Sequence, residues 1–319
     1  MEIISSVNYS ETMQKKVEPY LEKYRVIKYF ERTKGEPICY ERYAMPDAKA
    51  CVIISHGFTE NSDKYHEQAY YFLNEGYSVY IINHRGHGRS FRMTKDPSLV
   101  HIKDFNGLTE DFAFFAAKIV KEENSGLPCF VYAHSMGGGI AGTVMEDEPK
   151  LFDKAVLTSP MMSINRGKIP KWAAAAFVKT KISTGHGEDY IRGQQAFDGT
   201  RDFEHSMTSG MERYDYYFDR CLENEYMRTW GSSYVNSLEM SKLADHVSEV
   251  SRCRKVVTPT LLFSAGEDGA VTDIGQKIFA DNAASVEFII VPGVRHEIFT
   301  AADEIIGPYW DKIMKFFRE

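Results

Sequence analysis

The chain has 319 residues, of which 43% are hydrophobic and 26% charged, and it carries a formal net charge of −7. That length suits one large α/β domain or two ordinary ones, and the composition excludes disordered, fibrous and membrane-spanning classes. The acidic excess argues against general nucleic-acid binding. No apolar run approaches the roughly 18 residues needed to cross a bilayer. The opening Met1 to Ser10 lacks the basic flank and apolar core of a signal peptide, so a cytoplasmic location is expected. Five widely spaced cysteines (Cys39, Cys51, Cys129, Cys221, Cys253) form no C-x-x-C pair and read as free thiols.

In chain order, residues 11–30 read as an amphipathic helix and a lead-in strand to which no chemistry is assigned. Short apolar runs follow at 50–55, 77–83, 129–133, 154–158, 260–264 and 286–291. Helical spacing appears between them, over 65–74 and 108–122. This alternation predicts an α/β fold with a mostly parallel central sheet and helices on both faces. It stops between 163 and 251, where Met, aromatic and charged residues show helical periodicity and no buried strand. The expected organisation is a core of residues 1–162 and 252–319, with a helical cap, 163–251, inserted over the carboxyl ends of the strands.

The most informative stretch is Tyr132-Ala133-His134-Ser135-Met136-Gly137-Gly138, an apolar strand that runs into a serine and leaves as a helix. A serine held in such a turn exposes its Oγ above the sheet and sets the next amide, that of Met136, toward a developing oxyanion. Positions two before and two after it must be small, and they are Ala133 and Gly137. The competing reading is a helix with a serine N-cap. A serine hydroxyl needs a histidine to accept its proton and a carboxylate to orient that histidine. Asp268 follows the run at 260–264 and His296 follows the run at 286–291, so both belong to loops at the same sheet edge as Ser135. Asp268 also suits a simple turn in Glu-Asp-Gly, and Glu267 is a competing acid. After the run at 50–55, His56-Gly57-Phe58 offers the Phe58 amide as a second oxyanion donor.

These segments, with Asn83-His84-Arg85-Gly86-His87-Gly88-Arg89-Ser90, His101-Ile102-Lys103-Asp104-Phe105 and Thr158-Ser159-Pro160-Met161-Met162, resemble the lysophospholipase and monoacylglycerol lipase branch of the α/β-hydrolase superfamily. The resemblance runs from about residue 35 to the end. It implies an α/β-hydrolase fold, a Ser135, Asp268 and His296 triad, hydrolysis of a carboxylic ester on a glycerol-based lipid, and no cofactor. Two positions depart from the family pattern: Asn83 stands in place of aspartate, and Ala133 in place of the first elbow glycine. The same scaffold also carries broad carboxylesterases and peptidases, and a receptor that kept the pocket is a reading from another class. A peptidase would need carboxylates for an α-amine, with Glu204, Glu212 and Asp215 as candidates.

Three further stretches each have two readings. Arg85, His87, Arg89 and Arg92 could bind an anionic headgroup, although a structural turn is preferred. Lys168 to Lys181 sets four lysines around Trp172, Phe177 and Val178, which suits either transient contact with a membrane surface or packing onto the enzyme beneath. The aromatic residues Tyr214, Tyr216, Tyr217, Phe218, Tyr226, Trp230 and Tyr234 could line an acyl tunnel or form an ordinary core.

Overall fold

The computed structural model describes residues 2–319. Its strands are β1 Arg25–Phe30, β2 Ile38–Tyr43, β3 Ala50–Ser55, β4 Tyr77–Ile82, β5 Leu99–Val100, β6 Cys129–His134, β7 Lys154–Thr158, β8 Gly231–Ser232, β9 Thr260–Ala265 and β10 Val286–Val291. Eight of them form one sheet in the order β1-β2-β4-β3-β6-β7-β9-β10. From β4 to β10 every pairing is parallel, while β1 and β2 add an antiparallel edge.

The central strands read as continuous apolar runs because both sheet faces are covered. Along β3, Cys51 and Ile53 enter one core while Val52 and Ile54 enter the other. Along β6, Val131 and Ala133 face the first core, and Phe130 and Tyr132 the second. The edge strand β10 alternates instead, and its Ile290 is half exposed.

All six runs read from sequence are strands, within one residue at their ends. β2 escapes that reading because Glu41 and Arg42 interrupt it, yet Glu41 is fully buried. Arg25, His66, Ser62 and Tyr43 all bond its carboxylate, which removes the usual cost of a charge inside a sheet. The helix anticipated at 108–122 runs from Asn106 to Glu123 and widens into a π-helical stretch at Phe115–Val120.

Between β7 and β9 the chain makes helices at Lys171–Ser183, Met211–Glu223 and Tyr234–Val247, and contributes no strand to the large sheet. Its only strand, β8, pairs with β5 in a two-residue ladder that ties this segment to the loop after β4. Among the described residues, no helix is long and apolar enough to cross a membrane. All five cysteines are free and buried.

Candidate active site

β6 ends at His134 and a helix begins at Ser135 with no residue between them. Ser135 therefore takes the turn itself, with a left-handed φ of 49°, a conformation that costs a non-glycine residue about 1–3 kcal/mol and recurs where function holds it in place. The N-cap is His134, not the serine, so the capping reading does not apply. The tight turn presses the helix onto β3. A Cβ on Gly137 would lie 2.2 Å from the backbone oxygen of Ser55, which is why that position holds no side chain. Ala133 is fully buried and fits without a glycine.

The loops after β9 and β10 bring the other two residues to this turn. His296 Nε2 lies 2.7 Å from Ser135 Oγ, and His296 Nδ1 lies 2.7 Å from Asp268 Oδ2. Asp268 makes both sets of contacts considered for it. Its Oδ1 accepts the N–H groups of Ala270 and Val271 at 2.8 and 2.9 Å, closing the turn, and its Oδ2 holds the histidine. Burial raises its pKa, but the bonds from His296 and the two amides outweigh burial and keep the carboxyl below its ordinary value. Glu267, the competing acid, is exposed. Ser135 and His296 are 7% and 4% exposed, so water reaches the pair only narrowly.

The loop after β3 is held from within. Gly57 N–H donates to Glu60 Oε2 at 2.6 Å, Tyr65 Oη donates to the same oxygen at 2.6 Å, and Lys64 Nζ sits 2.8 Å from Glu60 Oε1. A Cβ on Gly57 would come within 2.8 Å of Glu60 Oε2 and 2.9 Å of the His134 ring. These bonds fix the backbone on both sides of Phe58, and Met136 follows Ser135 at the buried start of the helix. Lys64 also reaches Glu297 at 2.5 Å, and Glu297 is the residue after His296. The His134 ring lies against that of His296, centroids 4.8 Å apart and planes tilted by 53°. Burial pushes the pKa of His134 down to about 3, so its ring stays neutral beside His296. Glu60, Lys64, His134 and Glu297 are the supporting residues that the sequence reading missed. Only the short spacing of Glu60 and Lys64 after His56-Gly57 hinted at them.

The histidine-rich loop is structural. Arg85 pairs with buried Asp111 at 2.7 Å, and Arg92 donates to the carbonyls of Gly86, Gly88 and Pro97. Arg89 reaches Asp63 at 3.1 Å and lies over the Tyr226 ring. His87 is buried, and burial lowers its pKa. Asn83 uses both ends of its amide, accepting from Ser62 N–H and donating to Ser62 Oγ, both at 3.0 Å. A carboxylate there could not donate the second bond.

A cavity of about 340 Å³ adjoins the site. None of the five predicted site residues lines it, but Thr59 and Glu297, the sequence neighbours of Phe58 and His296, do. Of the aromatic residues picked out above, Tyr214, Tyr216, Tyr217, Phe218 and Trp230 line it, whereas Tyr226 and Tyr234 do not. Glu204, Glu212 and Asp215 are not in its lining, and Asp215 pairs with Arg201 at 2.8 Å.

The profile of the family described as Serine aminopeptidase, S33, matches residues 46–303. The monoacylglycerol lipase of Mycolicibacterium smegmatis is 26% identical over 260 residues, 81% of this chain and 85% of that protein. Lysophospholipase L2 of Escherichia coli is 26% identical over 290 residues, 88% of this chain and 84% of that protein. A solved structure of a soluble variant of the Saccharomyces cerevisiae monoglyceride lipase, in complex with a substrate analog, superposes with a TM-score of 0.71 at 17% identity over 92% of this chain and 94% of that one. The shared architecture is the α/β-hydrolase fold. With a match across most of its length, and with this sheet and this turn, the chain belongs to the S33 serine aminopeptidase family of α/β-hydrolases.

Proposed function

We propose that this protein hydrolyses carboxylic esters of glycerol-based lipids, monoacylglycerols or lysophospholipids, through an acyl-enzyme. Ser135 is the nucleophile, His296 the base and then the acid, Asp268 the residue that orients His296, and the amides of Phe58 and Met136 the oxyanion donors. One observation carries the reading: an unbroken chain of two 2.7 Å bonds from Asp268 through His296 to Ser135. The names of the two relatives given above support the substrate class.

In this reaction Ser135 Oγ attacks the ester carbonyl as its proton passes to His296 Nε2. The negative charge that forms on the carbonyl oxygen meets the two amides, each worth about 2.7 to 4 kcal/mol of transition-state stabilisation. As the C–O bond breaks, His296 returns the proton to the leaving alcohol. Water then attacks the acyl-serine with His296 again as base, releasing the fatty acid. Asp268 stays ionised throughout and stabilises the transient imidazolium, which its low pKa suits.

Residues 163–251 serve in this reading as a cap. They carry most of the aromatic lining of the adjoining cavity and are fastened to the core by the β5–β8 ladder. The cap helix Lys171–Ser183 buries none of its residues, and Trp172 is 76% exposed. A basic helix that rests on the helix Tyr234–Val247 through Phe177 and Lys171 and still leaves Trp172 in the open suits transient contact with a membrane surface, the route by which lipid esters would reach the site.

The test is turnover of monoacylglycerols, lysophospholipids, p-nitrophenyl esters of graded length and aminoacyl amides by wild type and Ser135→Ala. Serine-dependent turnover that peaks on the lipids supports the proposal. A peak on short esters favours a carboxylesterase, and a peak on the amides a peptidase.

A further inference from the structure

The match to the family profile begins at residue 46, and the chain before it is far from idle. Residues Tyr9–Leu21 are helical, and Tyr9 and Met13, one turn apart, project from the same face. Both are buried, and both line the 340 Å³ cavity beside the site. Opposite them stand Tyr217, Phe218 and Trp230 of the inserted segment.

Polar contacts fasten this wall to the helix Met211–Glu223. Arg213 donates to the carbonyl of Ile4 at 2.6 Å and to Glu67 at 2.9 and 3.0 Å, and Tyr9 Oη donates to Glu67 at 2.8 Å. One turn and two turns further along that helix, Tyr216 and Arg220 both bond Glu18, at 3.0 and 2.8 Å. Tyr9 and Tyr216 meet edge to face at 5.7 Å. The N-terminal segment and the inserted helix therefore close on each other across the cavity, and neither forms a complete wall alone.

The buried charges in this lining are already matched: Arg213 is paired with Glu67, Lys64 with Glu297, and Asp63 with Arg220, while Asp202 and His205 pair with each other in the open at its rim. Deep in the cavity an anionic or cationic ligand group would have to break one of the buried pairs, whereas an uncharged group meets ring faces, methionine carbons and hydroxyls.

We infer that Met13 and Tyr9 are specificity-determining residues. The cavity receives an uncharged part of the ester next to the scissile bond, and the N-terminal segment sets how large that part can be. This inference rests on the hydrolase reading for its setting, and its test does not depend on turnover.

Binding of monodecanoylglycerol is measured by calorimetry in Ser135→Ala, alone and combined with Met13→Phe or Met13→Ala, with circular dichroism to confirm folding. Met13→Phe fills the wall and should weaken binding by about tenfold, the scale of overpacking a closed pocket. Met13→Ala removes wall contacts and should weaken it by about threefold, so this variant carries the test if the phenylalanine does not fold. The same titration with glycerol monoacetate shows which end occupies the cavity. A loss shared by both ligands places the glycerol there, and a loss confined to the longer ester places the chain there. No binding, or affinities equal across the three proteins, overturns the inference. Failure of the hydrolase reading would appear separately, as wild-type turnover that survives Ser135→Ala or is absent.

Discussion

Lys64 Nζ lies 2.5 Å from Glu297, the residue that follows His296, while also holding Glu60 on the loop that carries Phe58. One buried ammonium thus spans the proposed oxyanion loop and the histidine loop. The two carboxylates together outweigh burial and keep the ammonium charged. Lys64→Met leaves both acids buried and unpaired, and losing one partner of such a pair costs about 3–5 kcal/mol. Urea unfolding should show a loss of that order, and fluorophosphonate labelling of Ser135 should slow in the protein that remains folded. Wild-type stability and labelling would remove the strap role.

Asp268→Asn keeps the size of the side chain but not the charge that favours the correct histidine tautomer. Turnover should fall about 10⁴-fold with little change in KM, as expected for a group that acts through the histidine. Steady-state kinetics on a p-nitrophenyl ester would read this. A loss confined to KM would mean that Asp268 serves only the turn it closes through Ala270 and Val271.

Gly137→Ala tests the elbow. The added methyl would meet backbone, not a flexible side chain, at 2.2 Å. The helix must then move off β3, at a cost of about 3 kcal/mol or more. Thermal denaturation of this variant beside a surface control would measure it, and an unchanged midpoint would contradict the close approach.

The buried cluster at His66 predicts a stability that depends on pH. Burial alone would lower its pKa, but Glu18 and Glu41 on either side raise it from 6.5 to about 9. The folded pKa exceeds the unfolded one, so the contribution is fully present below pH 6.5 and is lost as pH rises through about 9. Urea midpoints between pH 6 and 10 should fall across that window in wild type and flatten in His66→Gln. Parallel curves for the two proteins would show that another group is responsible.

Surface contact is separable from catalysis. Trp172→Ala should reduce co-sedimentation with anionic vesicles severalfold, while turnover of a soluble short ester stays at the wild-type rate. Equal sedimentation of the two proteins at low salt would remove the membrane role of this helix.

The sheet and the ordering of Ser135, Asp268 and His296 were legible in one dimension. Parallel strands buried on both faces must be continuous apolar runs, and residues that follow such strands share one sheet edge. At β2, where Glu41 and Arg42 stand together, the reading failed. β2 looked unlike a buried strand because Arg25 and His66, which neutralise Glu41, lie far from it in sequence or on another element. The same limit hid the supporting groups of the site. Lys64 gains its place only when Glu297, distant in sequence, folds against it, and the cavity exists only where the N-terminal helix meets the Met211–Glu223 helix. Periodicity reports which face of an element is apolar. Pairing of buried charges and the closing of a cavity depend on distances between elements, and those distances arise only when the chain has packed.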